Sequence, residues 1–213
     1  MARQRCFGTG DPLYERYHDE EWGRPAADSP NEQELFERIA LEGFQSGLSW
    51  ITVLRKRERF RELFHGFDPV LVAAFGAPEV EMLLQDPGII RNRLKIEATI
   101  SNAQALLAMH DRGEHLSSLI QEHTPPTRTQ PPQPGEVPTQ TPESVALSRA
   151  LKRRGFRFVG PTTAYATMQA IGAVADHVAG CWLAACQNGQ RVDTPTSLPR
   201  PARPDQDVGR TAP

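Results

Sequence analysis

Residues 151–163 have the sequence LKRRGFRFVGPTT and join two segments whose periodicity is helical. Gly155 occupies a position at which helices commonly end, and Pro161 a position at which the next helix would begin. A glycine lets backbone N–H groups come close to a ligand, and the N-terminus of the second helix adds the positive end of its dipole. The short connection, which also contains Gly160, therefore suits a phosphate group.

Helical patterns also run along the rest of the chain. Apolar residues recur at helical spacing in segments 29–39, 50–64, 68–74, 96–107, 141–151 and 161–171. Ser29, Pro30 and Glu32 form the pattern of a capped helix start, and Thr141 with Pro142 forms another. Strand patterns are nearly absent, and no internal repeat is found. The sequence predicts an all-α fold.

Charge restricts the classes of partner. The 213 residues carry 24 Lys and Arg against 26 Asp and Glu, a net charge of −2. Neither a uniformly basic nucleic-acid coat protein nor a strongly acidic disordered chain fits this balance. Residues 143–165, however, hold one glutamate against five Lys and Arg, which gives a local charge of +4. The candidate DNA-binding residues in this patch are Arg153, Arg154, Gly155, Arg157 and Gly160.

A structural alternative remains for the basic residues, because the helix dipole favours Lys and Arg at any helix C-terminus. The same two interpretations apply to a second basic cluster, which consists of Arg91, Arg93 and Lys95.

Proline divides the chain, since 7 of the 19 prolines lie in 125–142 and 5 more follow Asn188. We expect a domain over residues 1–187 with a mobile Pro-rich loop at 124–142, and a disordered tail over 188–213. No stretch is long and apolar enough to cross a membrane, and no secretory signal is visible. The sequence therefore predicts a cytoplasmic protein with no membrane contact.

Four possible metal ligands lie at the two ends of the domain: Cys6, His18, His177 and Cys181. His177 and Cys181 are four residues apart, so a helix would place them on one face. Two thiolates and two imidazoles make a closed tetrahedral zinc shell, which would join the N-terminal segment to the last helix without doing chemistry. Buried thiols and a surface histidine are the alternative, and Cys186 is expected to be a packed thiol.

A candidate pocket lies at residues 41–50, LEGFQSGLSW. A planar heterocycle would stack on Trp50 while Glu42 accepts hydrogen bonds from its N–H edge, which is one way in which a flipped base is bound. Residues 14–22, YERYHDEEW, offer further aromatic surface. The alternatives are core packing for the aromatic residues and a solvated helix end for Glu42.

Five motifs in order, DPLYERYHDEEWG, LEGFQSGLSWITVLRKRE, GIIRNRLKI, LKRRGFRFVGPTT and DHVAGC, resemble the DNA-3-methyladenine glycosylase I family. The resemblance runs from about Cys6 to Cys186 and implies a helix-hairpin-helix fold and removal of 3-methyladenine from alkylated double-stranded DNA. It implies one structural Zn²⁺ on Cys6, His18, His177 and Cys181. It places base recognition on Tyr17, Glu42 and Trp50. Residues 7–10 lack a tryptophan often found there.

The mechanism expected from this resemblance follows largely from the substrate. Methylation at N3 makes the adenine cationic, so the base leaves as a neutral molecule and needs no strong acid. We expect the Glu42 carboxylate to be the catalytic group, and Asp176 to orient His177. No lysine stands out as a Schiff-base nucleophile, which indicates a monofunctional enzyme. We also expect the protein to be a monomer. The alternatives are a zinc-stapled helix-hairpin-helix DNA-binding module without catalysis, and a zinc hydrolase, which would need an open metal position.

Overall fold

The computed structural model describes residues 3–24, 31–128 and 130–184. Within these residues the protein is helical, with one 3-10 turn (His65–Phe67) and no strand, which confirms the predicted all-α class. The helices are α1 (Pro12–Glu20), α2 (Glu32–Gln45), α3 (Trp50–Leu54), α4 (Arg57–Leu63), α5 (Pro69–Ala73), α6 (Ala77–Gln85), α7 (Arg93–Asp111), α8 (Leu116–Glu122), α9 (Pro142–Arg153) and α10 (Pro161–Ala170). None of them is long and apolar enough to span a bilayer.

Helix α2 lies in the middle of the core and packs against α3, α7, α8 and α10. Its predicted apolar face, Leu35, Phe36 and Ile39, is buried, and so is every residue from Ile39 to Phe44. Each large apolar side chain that leaves water here contributes about 1.5–3 kcal/mol. A polar residue within this buried stretch, Glu42, must therefore face either a partner or a cavity.

Helix starts are set by capping side chains. The Asn31 side chain accepts a hydrogen bond from the Glu34 N–H at 2.7 Å and begins α2, whereas the predicted caps Ser29 and Pro30 lie outside the described residues. Thr141 caps α9 as predicted, with its hydroxyl accepting from the Ser144 N–H at 3.2 Å.

Some expectations for the helices were wrong. The segment 50–64 is two helices, α3 and α4, rather than one. Val70 and Leu71, expected on an apolar face, are exposed, because α5 has a single turn that buries only Val72. Helices α1, α6 and α8 had not been expected, since none of them is long enough to show several periods of the apolar pattern.

The Pro-rich loop contacts the rest of the domain, and its mobility stays a prediction. The Pro132 carbonyl accepts a hydrogen bond from the Ala179 N–H at 2.8 Å, and Val137 packs against the main core. Pro132 itself is buried. Cys186 and the predicted tail at 188–213 lie outside the described part of the chain.

Candidate functional site

The four predicted metal ligands come together, with their ligand atoms within 4.8 Å of one another. The Cys181 Sγ lies 3.4 Å from His18 Nε2 and 3.6 Å from His177 Nδ1, and the Cys6 Sγ lies 3.4 Å from the same Nδ1. Around a tetrahedral zinc, bonds of about 2.3 Å to sulfur and about 2.0–2.1 Å to nitrogen place sulfur and nitrogen roughly 3.5 Å apart. Donor types and separations therefore both fit a zinc ion.

The chain reaches this geometry by a route that corrects the sequence argument. His177 and Cys181 are not on a helix: α10 ends at Ala170, and both lie in irregular chain after it. A turn closed by the Cys181 N–H on the Val178 carbonyl, at 2.9 Å, brings Cys181 back beside His177. Gly180 has φ +88° in this turn, a conformation that glycine adopts readily.

A carboxylate fixes one of the imidazoles. Asp19 Oδ1 lies 2.9 Å from His18 Nδ1, and Asp19 also accepts two hydrogen bonds from Arg5 and one from Trp182 Nε1. Burial raises the pKa of Asp19, but these hydrogen bonds outweigh it and hold the pKa well below its usual range. The ionised carboxylate assigns the proton to Nδ1 and leaves Nε2 facing the sulfur, the arrangement common behind zinc-bound histidines.

The surroundings shift the pKa values of the two thiols in opposite directions. A hydrogen bond from Cys6, reinforced by His177 and His18, lowers the pKa of Cys181. The same hydrogen bond, together with burial, raises the pKa of Cys6. A metal ion would favour the thiolate form of both sulfurs, because thiolates rather than thiols are the ligands that it binds.

Beside the metal-ligand cluster lies an open cavity of about 320 Å³. The predicted base-recognition residues Tyr17, Glu42 and Trp50 all line it, and the rings of Tyr17 and Trp50 are 5.3 Å apart. The remaining lining residues are Cys6, Phe7, Tyr14, Trp22, Gln45, Val137, Ala166, Gln169, Asp176 and Val178. Helix α1 and α2, the Pro-rich loop and the segment after α10 therefore all contribute to one pocket.

Sequence reasoning missed several of these residues. Phe7 lies 5.0 Å from the Trp22 ring and 4.8 Å from the Tyr14 ring, so an aromatic ring stands in the segment that lacks a tryptophan. Gln45 follows Glu42 by three residues on α2, and this helical spacing could have identified it. Val137 carries no such signal, because only the path of the Pro-rich loop brings it here.

Glu42 is 5% exposed, and no hydrogen bond from the described residues reaches its carboxyl group. Burial raises its pKa to about 8, although the Arg38 charge opposes the shift. The raised pKa favours the protonated carboxyl group near neutral pH. A cationic ligand would reverse this balance, because an adjacent positive charge favours the ionised form.

Two further polar atoms of the cavity residues are buried without a hydrogen bond among the described residues: Trp50 Nε1 and Asp176 Oδ1. The other Asp176 oxygen accepts from the Tyr165 hydroxyl at 2.5 Å and from Gln169 Nε2 at 2.9 Å. Arg128 approaches Oδ1 only to 3.8 Å. Buried polar atoms are usually satisfied, so an unpaired donor and an unpaired acceptor in one cavity indicate a polar ligand.

The predicted hairpin is present between α9 and α10. Gly155 has φ +96°, and Phe158, which is not a glycine, has φ +54°. Asn102 of α7 holds this conformation: its Oδ1 accepts from the Arg157 N–H at 2.7 Å and its Nδ2 donates to the Arg157 carbonyl at 3.0 Å. An unfavourable φ costs on the order of 1–3 kcal/mol and persists where surrounding contacts fix it.

The arginines of the hairpin are not equivalent. Arg154 Nε donates to Glu114 and Arg154 Nη1 to the Ala150 carbonyl. Arg153 and Arg157 are exposed, and neither has an ion pair within the described chain. Two of the three predicted arginines therefore face solvent, while Arg154 is engaged within the protein.

The second basic cluster does not form one surface. Lys95 is buried and donates to the Phe44 and Ser46 carbonyls at 2.8 and 2.5 Å, which caps the C-terminus of α2. Arg93 pairs with Glu81 at 2.7 Å. Lys95 thus supports the helix that carries Glu42.

A family model described as methyladenine glycosylase matches residues 7–184, and the chain belongs to this family. The chain is 54% identical to DNA-3-methyladenine glycosylase 1 of Escherichia coli K12 over 181 residues, which cover 84% of this chain and 95% of the relative. A crystal structure of 3-methyladenine DNA glycosylase I aligns with a TM-score of 0.79 at 53% identity, covering 84% of this chain and 98% of that one. A structure of the Staphylococcus aureus enzyme, which describes 3-methyladenine recognition, aligns with a TM-score of 0.78 at 34% identity, covering 85% and 97%.

Proposed function

We propose that this protein is a monofunctional DNA-3-methyladenine glycosylase, which hydrolyses the N-glycosidic bond of 3-methyladenine in alkylated double-stranded DNA. The observation that carries the proposal is the buried, unbonded Glu42 carboxyl in an aromatic cavity. A carboxyl group whose pKa is raised by burial between aromatic rings gains most from a ligand that is both planar and cationic, and N3-methylated adenine in DNA is both.

The selectivity follows from charge. Neutral adenine carries no charge that would lower the pKa of Glu42. The methylated cation lowers this pKa and forms a charge-assisted hydrogen bond with the carboxylate. Tyr17 and Trp50 supply stacking, which is worth about 1–3 kcal/mol per base. The unpaired Trp50 Nε1 offers one more donor to the flipped base or its sugar.

Bond cleavage then needs little acid catalysis. The C1′–N9 bond breaks with its electron pair moving to the base, which leaves as neutral 3-methyladenine. The sugar carries the developing positive charge until water adds to C1′ and loses a proton. Glu42, once ionised, stabilises this positive charge electrostatically, and Asp176 lines the same cavity.

Zn²⁺ is our proposal for the ion held by Cys6, His18, His177 and Cys181. Four protein ligands leave no position for water, so the ion is structural and takes no part in hydrolysis. This closed donor set also speaks against the zinc-hydrolase alternative. The ion would join the segment before α1 to the segment after α10, both of which line the cavity.

We further propose that the α9–α10 hairpin makes this a helix-hairpin-helix DNA-binding protein. Arg153, Arg157 and the backbone at Gly155 and Gly160 would contact phosphates, with Arg154 holding the hairpin through Glu114. The monomeric state, the domain over 1–187, the tail over 188–213 and the cytoplasmic location stay predictions.

The decisive experiment is base release from methylated duplex DNA, with 3-methyladenine and 7-methylguanine separated by chromatography. Wild type and Glu34→Gln, which changes an exposed residue of the same helix, should release 3-methyladenine, and Glu42→Gln should release far less. If wild type released none beside an active alkyladenine glycosylase, the proposal would be wrong. Tight DNA binding without release would instead support the non-catalytic module.

A further inference from the structure

A second group of metal-ligating side chains lies away from the cavity, formed by Glu32, His110 and His115. They come from three elements: Glu32 is the first residue of α2, His110 lies in the last turn of α7, and His115 precedes α8. Their ligand atoms all lie within 4.8 Å of one another. We propose that these three residues form a second, open binding site for a divalent transition-metal ion.

The separations suit a shared ion. His110 Nε2 lies 3.1 Å from Glu32 Oε2, and the two imidazole rings are 5.4 Å apart. Two ligands at about 2.0–2.2 Å from one ion are roughly 3.0–3.4 Å apart for bond angles between square and tetrahedral. The present hydrogen bond between Glu32 and His110 therefore has nearly the separation that a bridging ion would require.

The Glu32 carboxyl group is already held in one orientation. Glu32 accepts hydrogen bonds from the Leu116 N–H at 2.7 Å and the Ser117 N–H at 2.9 Å. A carboxylate oxygen has two lone pairs, so an ion binds beside these donors, as at many metal sites whose ligating carboxylates are themselves hydrogen-bonded.

The donor set indicates the kind of ion. Two imidazoles and one carboxylate suit Zn²⁺, Ni²⁺, Co²⁺, Cu²⁺ or Fe²⁺, and not Mg²⁺ or Ca²⁺, which prefer oxygen. Glu32 and His110 are part-buried and His115 is exposed, so solvent occupies the remaining positions. The site is consequently weaker and more readily exchanged than the thiolate cluster, and it joins the starts of α2 and α8 to the end of α7.

The test is a cobalt titration of the full-length protein whose Cys/His cluster holds zinc. Cobalt on nitrogen and oxygen gives weak visible bands, without the near-ultraviolet charge transfer of a thiolate. Wild type should bind one further equivalent of cobalt with these bands. His115→Ala should bind this equivalent at least about tenfold more weakly. The His115 side chain has no hydrogen bond within the described chain, so this variant keeps the Glu32–His110 contact and the hydrogen bonds that Glu32 accepts from Leu116 and Ser117.

The matched control is His65→Asn. His65 is exposed, lies outside the group and has φ +50°, which asparagine accepts better than alanine. It should bind cobalt as wild type does, and nickel should raise the melting temperature of both proteins more than that of His115→Ala. Equal cobalt uptake by wild type and His115→Ala, at one equivalent or at none, overturns the proposal. Base release by His115→Ala is expected to stay unchanged, which separates this test from that of the glycosylase.

Discussion

Replacement of Glu42 by glutamine should make the protein more stable than wild type, and this difference in the free energy of unfolding should grow as the pH rises. The replacement also removes the central group of the pocket. Glu42 has a pKa of about 8 in the folded protein because burial penalises its charge, against 4.5 for an ordinary glutamate. Above pH 4.5 the unfolded chain releases this proton, whereas the folded protein retains it until about pH 8. The unfolded state is therefore favoured progressively across this interval.

The size of the effect follows from linkage. Each pH unit between the two pKa values lowers the free energy of unfolding by about 1.4 kcal/mol. Relative to its value below pH 4.5, the free energy of unfolding of wild type should therefore be lower by roughly 3 kcal/mol at pH 7 and by roughly 5 kcal/mol near pH 8. Glutamine has a similar shape and does not titrate, so the variant avoids the whole loss. Below pH 4.5 the contribution is fully present in wild type, and the difference between the two proteins no longer changes with pH.

Urea unfolding at intervals from pH 5 to pH 8.5 measures this difference, with the same zinc content in each sample. The Cys/His cluster also responds to pH, but it does so in both proteins and cancels in the comparison. Glu34→Gln is the control: its side chain is exposed on the same helix, so its difference from wild type should be small and constant. Parallel curves for wild type and Glu42→Gln would refute the argument that Glu42 is held protonated by burial.

Three further predictions concern the hairpin and the metal. Asn102→Ala should lower the free energy of unfolding by roughly 2 kcal/mol, since two hydrogen bonds to the Arg157 backbone are lost. Fluorescence anisotropy should show that this variant binds duplex DNA more weakly. Unchanged DNA affinity would count against the proposal that Asn102 holds the hairpin in its DNA-binding conformation. Arg153→Ala and Arg157→Ala should each reduce the slope of log K for DNA binding against log salt concentration by about one. Arg154 is already paired with Glu114, so Arg154→Ala should leave this slope unchanged and lower the stability of the protein. Equal slopes for all three variants would contradict the distinction between the arginines. Cys181→Ser should lose zinc by elemental analysis and melt at lower temperature; full zinc content would exclude Cys181 as a ligand.

The helices that sequence reasoning identified are those with a strong local signal. Thr141 and Pro142 start α9, and Pro161 starts α10, because capping and the fixed φ of proline act within one turn. The one-turn helix α5 was misjudged in its buried face for the opposite reason. A segment of five residues shows too little periodicity to define a face, so the neighbours decide which side chain is buried.

The sequence by itself determined the chemistry available to this protein: the all-α class, the residue types of the Cys/His group, and a hairpin with a local excess of arginine. These depend on residue identity and local spacing. Tertiary contacts bury Glu42 and raise its pKa, pair Arg154 with Glu114, and bring Val137 of the Pro-rich loop to the cavity. Desolvation and ion pairing arise from segments distant in sequence that fold together, so no local pattern encodes them.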